Sequence, residues 1–128
     1  TSLVMQCHKQ SATDPLQDAD KFESAALQKT HLDLSYVPSR YRSSYFLHIW
    51  GNGYAAGYYA YLWTEMLDHD AFSWFEENGG LTRANGQRFR DMILSKGNTE
   101  DYGKMFRDFR GHDPNISAMQ KYRGLITK

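Results

Sequence analysis

The chain has 128 residues, 15 of them basic and 15 acidic, enough for one modest domain that buries roughly two-thirds of its unfolded surface. Zero formal net charge leaves no global field favouring a polyphosphate or an anionic membrane, so nucleic acid and membrane are both set aside as partners. Rings make up 15% of the residues and should dominate packing, while the lone Cys7 cannot form an internal disulfide and fits the cytoplasm.

No run approaches the length of a membrane span, and Thr1 to Gln10 carry neither a basic head nor a sustained apolar stretch. The chain begins with Thr1 instead of Met and is read as a fragment. Residues 1–17 are expected to be extended or poorly ordered.

From Asp18 to Leu32, Phe22, Ala25, Ala26 and Leu27 recur at helical spacing and predict an amphipathic helix. Pro38 interrupts the pattern, and Ser43 to Trp50 begins another short helix that ends at Gly51. Ala55 to His69 and Asp70 to Asn78 then predict a central buried helix or a bent pair, stopped by Gly79 and Gly80. Thr82 caps a helix with Phe89, Met92, Ile93 and Leu94 facing inward and Gly97 ending it. Asn98 or Thr99 begins the next, with Tyr102, Met105, Phe106 and Phe109 as its apolar face and Gly111 closing it. Asp113 and Pro114 start a last short helix through about Tyr122. The fold class is all-α, an irregular helical bundle, and 1–128 reads as a single helical region.

The densest chemistry lies in Tyr45-Phe46-Leu47-His48-Ile49-Trp50-Gly51-Asn52-Gly53-Tyr54, followed by Ala55-Ala56-Gly57-Tyr58-Tyr59-Ala60-Tyr61. Gly51 and Gly53 permit a sharp or mobile loop. Tyr54, Tyr58 and Tyr61 stand four and three apart, which puts their hydroxyls on one face if a helix starts near Tyr54. A phenol is a neutral donor at pH 7 and suits an oxygen that gains negative charge, with His48 as a further donor. The same spacing describes an aromatic core stripe, the commoner use of periodic rings, and the residues by themselves leave both readings open.

Asp68, His69 and Asp70 point in different directions as consecutive helix residues and read as a solvated helix end instead of a metal site. Arg83, Arg88, Arg90, Arg107 and Arg110 are balanced by Glu76, Glu77, Asp91, Asp101 and Asp108, as on a solvated helix surface.

From about Asp20 onward the chain resembles the end of the thimet-oligopeptidase-like zinc metallopeptidases, in particular their dipeptidyl carboxypeptidase branch. The resemblance rests on Val37-Pro38-Ser39-Arg40-Tyr41-Arg42-Ser43-Ser44-Tyr45-Phe46, the Gly51 loop, Leu62-Trp63, Gly79-Gly80-Leu81-Thr82-Arg83, Ile93-Leu94-Ser95, Gly97-Asn98 and Tyr122-Arg123-Gly124-Leu125. It implies a C-terminal part of a larger helical catalytic domain, in which zinc held by HExxH and a later Glu activates water. By resemblance Tyr61 stabilises the oxyanion, Tyr54 is a second catalytic donor from the loop, and His48, Tyr58, Gly51 and Gly53 face the oligopeptide substrate. Asn52 stands where the family pattern leads one to expect a third glycine, a mild change because Asn tolerates left-handed backbone.

None of His8, His31, His48, His69 and His112 has a His four residues away, so HExxH is absent and no metal ligand is assigned to this chain. The expectation is zinc only in the full-length enzyme, an upstream zinc-binding part as partner, and an inactive chain on its own. The rival from a different class is a non-catalytic helical interaction module derived from the peptidase.

Overall fold

A computed structural model of the chain describes residues 2–51 and 53–127. These residues form helices joined by turns, with no strand among them, as the 3.6-residue periodicity predicts. They divide into two compact units, Thr1–Ala60 and Tyr61–Lys128. Among the described residues no helix is long and apolar enough to cross a membrane.

In the first unit, α1 (Ser2–Cys7) is helical where extended chain is expected, because Leu3 and Val4 give it a buried side. The helix α2 (Ala19–Lys29) starts at Asp18, whose side chain accepts a hydrogen bond from the Lys21 N–H. Ser43–Tyr45 is a 3₁₀ turn, α3 (Leu47–Trp50) follows it, and Ala55–Tyr59 is a second 3₁₀ segment. The core is Val4, Phe46 and Ile49, with Tyr41 and Tyr58 packed against it.

One buried charge ties this unit together. Glu23, only 2% exposed, takes hydrogen bonds on Oε2 from the Ser43 N–H at 3.0 Å and the Ser43 hydroxyl at 3.1 Å. Its Oε1 lies 2.8 Å from Arg42 Nε but lacks hydrogen-bond alignment, so the guanidinium serves there as a counter-charge. A carboxylate loses water on burial and requires such partners. Glu23 thereby fixes the start of the segment that carries Phe46 and His48. The neighbouring Cys7 thiol is pushed up in pKa, first by burial and less by Glu23, against a lowering contact from Ser43, and stays a thiol at neutral pH.

The second unit begins on α4 (Ala60–Glu77), a single helix of 18 residues in place of a bent pair. It is not buried throughout: Asp70 and Phe75 are, while Leu62, Trp63 and Phe72 are exposed. Gly79 and Gly80 take φ of +87° and +84°, a conformation costly for any L side chain, and reverse the chain into α5 (Arg83–Phe89). Thr82 caps α5 as expected. A π-helical turn, Arg90–Leu94, then continues it, and it rotates Leu94 outward to 65% exposure instead of inward.

The next helix, α6 (Tyr102–Arg110), is capped by Asp101, not by Asn98 or Thr99. Asp101 Oδ1 accepts from the Lys104 N–H at 2.7 Å, and Gly111 closes the helix at φ +88°. Asp101→Ala is expected to cost about 1 kcal/mol, read from the urea midpoint. The last helix, α7 (Ser117–Tyr122), starts after Ile116 because Asp113 and Pro114 belong to the connection before it.

Phe109, 1% exposed, centres this unit. Its ring lies 4.8 Å from Trp74, 5.3 Å from Phe89 and 6.2 Å from Phe75. Arg88 is not a free surface charge: it stacks over Trp74 at 5.2 Å and donates to the Phe109 carbonyl at 3.2 Å.

Asp70 also departs from the solvated reading. It is 2% exposed, accepts from Arg110 Nε at 2.7 Å on Oδ1 and from the Asn115 N–H at 2.7 Å on Oδ2. The Arg110 side chain, 10% exposed, forks on to Glu77 at 2.5 and 2.8 Å. That fork holds the Glu77 carboxyl below its ordinary pKa. Arg123 makes a second fork with Glu65 at 3.1 and 2.6 Å.

Candidate functional site

The first unit brings three of the expected site residues together. His48 sits on α3 next to buried Ile49, and its ring centroid is 5.8 Å from Tyr54 and 6.0 Å from Tyr58. Tyr54 and Tyr58 are 6.2 Å apart, edge to face. Tyr58 also meets Phe46 edge-on at 4.6 Å, and Phe46 stacks on Tyr41 at 5.1 Å. The core reading and the site reading therefore share Tyr58: its ring is anchored by packing, and the same packing sets where it stands.

The four-and-three spacing of Tyr54, Tyr58 and Tyr61 is not carried on one α-helix. Tyr54 precedes the 3₁₀ segment, Tyr58 lies within it, and α-helical geometry begins only at Ala60. Three residues per turn in a 3₁₀ segment break the alignment that 3.6 would give. Tyr61 belongs to the second unit, on the first turn of α4, and is about half exposed.

Neither Gly51 nor Gly53 takes a left-handed φ; Ala55 does, at +35°. A Cβ at Gly51 would come 2.5 Å from Leu47 Cδ1, whereas one at Gly53 meets nothing within 4 Å. Asn52 lies outside the described residues. Because Ala55 carries the strained angle, Ala55→Gly is expected to raise stability by about 0.5–1 kcal/mol after the entropic cost of glycine, measured by thermal melting.

Among the described residues no three His, Cys, Asp or Glu side chains converge to hold a metal ion. Asp70 and His112 approach to 4.0 Å, but both Asp70 oxygens are already taken by Arg110 and Asn115. His112 Nδ1 is 2.6 Å from the Asp113 carbonyl. These residues do not fit a zinc centre.

The family model described as Peptidase family M3 matches residues 2–125, and the chain belongs to that family. It is 56% identical over 123 residues to the dipeptidyl carboxypeptidase of Salmonella typhimurium and 54% identical over 123 to that of Escherichia coli. Each match covers 96% of this chain and 18% of the relative. Oligopeptidase A of Escherichia coli is 50% identical over 80 residues, 62% of this chain and 12% of the relative. The chain thus spans under a fifth of the length of these curated relatives.

The charged groups that sequence reasoning missed are Glu23, Asp70 and Arg110. Each is polar and lies on a helix, and only partners 20 to 45 residues away reveal its burial.

Proposed function

We propose that the chain is the C-terminal, substrate-facing part of a zinc peptidase that releases C-terminal dipeptides from oligopeptides. The observation that carries this reading is the 54–56% identity to dipeptidyl carboxypeptidases over 96% of the chain, which takes in nearly all of it. Metal ligation and the activation of water belong to another part of the whole peptidase, the upstream part with which this one pairs. Alone the chain is inactive, and its single cysteine fits a cytoplasmic setting.

In this reading Tyr61 donates a hydrogen bond to the scissile carbonyl oxygen as it gains charge, and Tyr54 donates from the loop. His48 and Tyr58 line the substrate side. Gly51 and Gly53 let the loop move, a role consistent with the open space around Gly53. The test is turnover of a blocked oligopeptide by the full-length protein carrying Tyr61→Phe. An unchanged rate would remove Tyr61 from the chemistry.

One observation favours a second reading, a helical interaction module without catalysis. In the second unit an apolar hollow of about 820 Å³ is walled by Trp63, Leu67, Phe89, Ile93 and Phe106, the kind of surface a partner covers. A native reading frame that encodes no HExxH would favour the module; one that encodes it upstream favours the peptidase.

A further inference from the structure

Trp50 carries a contact that core packing does not account for. The residue is 57% exposed, yet its indole N–H donates to the Ser43 carbonyl at 2.7 Å, seven residues back along the chain. An exposed indole can donate to water, so this bond adds little net energy. What it adds is geometry: it closes residues 43–50 into a ring of chain.

Ser43, at the other end of the closure, is itself held. Its N–H and its hydroxyl both donate to Glu23 Oε2, at 3.0 and 3.1 Å, so its N–H, hydroxyl and carbonyl are all engaged. Beyond Trp50, the Gly51 N–H donates to the Leu47 carbonyl at 2.7 Å, and a Cβ at Gly51 would come 2.5 Å from Leu47 Cδ1. The end of α3 is thus packed tightly on its own first residue. The segment is pinned to α2 at its start and tied back onto that start at its end. Inside the closure lie Phe46, which is buried, and His48, whose ring faces Tyr54 at 5.8 Å and Tyr58 at 6.0 Å.

We propose that Trp50 is a positioning residue: its bond to Ser43 fixes the turn of chain on which His48 stands, and so sets the His48 ring against Tyr54 and Tyr58. The proposal rests on the reading of His48 as a substrate-side residue and adds to it the group that holds His48 in place. Trp50 acts through His48 and takes no part in bond cleavage. Without the indole N–H the end of α3 is released, while the Glu23–Ser43 bonds and the packing of Phe46 and Ile49 remain. The substrate side therefore loosens before the fold does.

The experiment is a double-mutant cycle in the full-length protein, with turnover of a blocked oligopeptide measured for wild type, Trp50→Phe, His48→Ala and the pair. Trp50→Phe is expected to raise KM about fivefold with kcat within about twofold, the size of one ordinary hydrogen bond and the pattern of a lost ground-state contact. In the His48→Ala background the same change should raise KM by less than about 1.5-fold, because the residue it positions is gone. A merely structural role would act equally in both backgrounds. A second readout needs no substrate. In full-length protein isotope-labelled at histidine Cε1, the His48 NMR signal, assigned by its loss in His48→Ala, should move in Trp50→Phe. It should also move in Ser43→Ala, which leaves the Trp50 ring in place and removes one of the bonds to Glu23. Circular dichroism checks that the helices remain; if Trp50→Phe loses them, Ser43→Ala takes its place in the cycle. Equal KM effects in the two backgrounds, or a His48 signal unmoved by both variants, overturns the proposal. A KM indifferent to His48→Ala defeats the substrate-side reading instead, and the His48 signal alone then decides whether Trp50 positions that ring.

Discussion

An Asp70→Ala chain is expected to lose about 3–5 kcal/mol of folding stability, the range for breaking a buried ion pair from one side. The loss comes less from the attraction removed than from what stays behind. Arg110 is 10% exposed and would keep its charge with only the exposed Glu77 to answer it, and the Asn115 N–H would lose its acceptor. A urea titration followed by tryptophan fluorescence reads the change, since Trp74 packs on Phe109 in the same unit. Asp70→Asn restores an acceptor without the charge and should fall between wild type and alanine. Replacing both partners by apolar residues, Asp70→Leu with Arg110→Met, should recover much of the loss, because no charge then remains buried. An Asp70→Ala midpoint within about 1 kcal/mol of wild type would show that water reaches Arg110 and that the network is not an anchor.

The second large effect is on turnover. In the full-length protein, Tyr61→Phe is expected to lower kcat by about 10² to 10³, the usual cost of deleting one oxyanion donor. The ring remains and is about half exposed, so stability should change by less than about 0.5 kcal/mol. The pattern separates a donor from a packing residue. A donor used only in the transition state lowers kcat and kcat/KM together and leaves KM near its starting value; a misplaced helix would raise KM and shift the melting temperature. On the proposed role of Tyr54 as a second donor, Tyr54→Phe should show the same pattern with a smaller loss.

The helices were legible because burial leaves a 3.6-residue rhythm: Met105, Phe106 and Phe109 announce α6, and all three are buried. Glycine punctuation was equally readable at Gly79, Gly80 and Gly111, where positive φ is observed. Three things were not. The 3₁₀ start at Ala55–Tyr59 and the π turn at Arg90–Leu94 differ from an α-helix by one residue per hydrogen bond, a choice made by packing and invisible to periodicity. Asp101 displaced Asn98 and Thr99 as a cap although all three residue types can cap. Asp70 and Arg110 read as surface because charge is normally solvated, and for the same reason nothing in the sequence marks Glu23 as buried. The candidate site rests mainly on resemblance: spacing places three tyrosines on one face, whereas the structure gathers His48, Tyr54 and Tyr58 by ring contacts within the first unit.

The two buried carboxylates also bear on how the chain acquires its shape. Glu23 reaches a partner 20 residues along the chain, and Asp70 one 45 residues along. The span roughly doubles from one to the other, and each doubling adds only about 0.6 kcal/mol to the entropy of closing a flexible loop. Neither clasp is held back by the length of chain it must gather. Each unit can order around its own charge, so the segment bearing His48 need not wait for the helices that follow it.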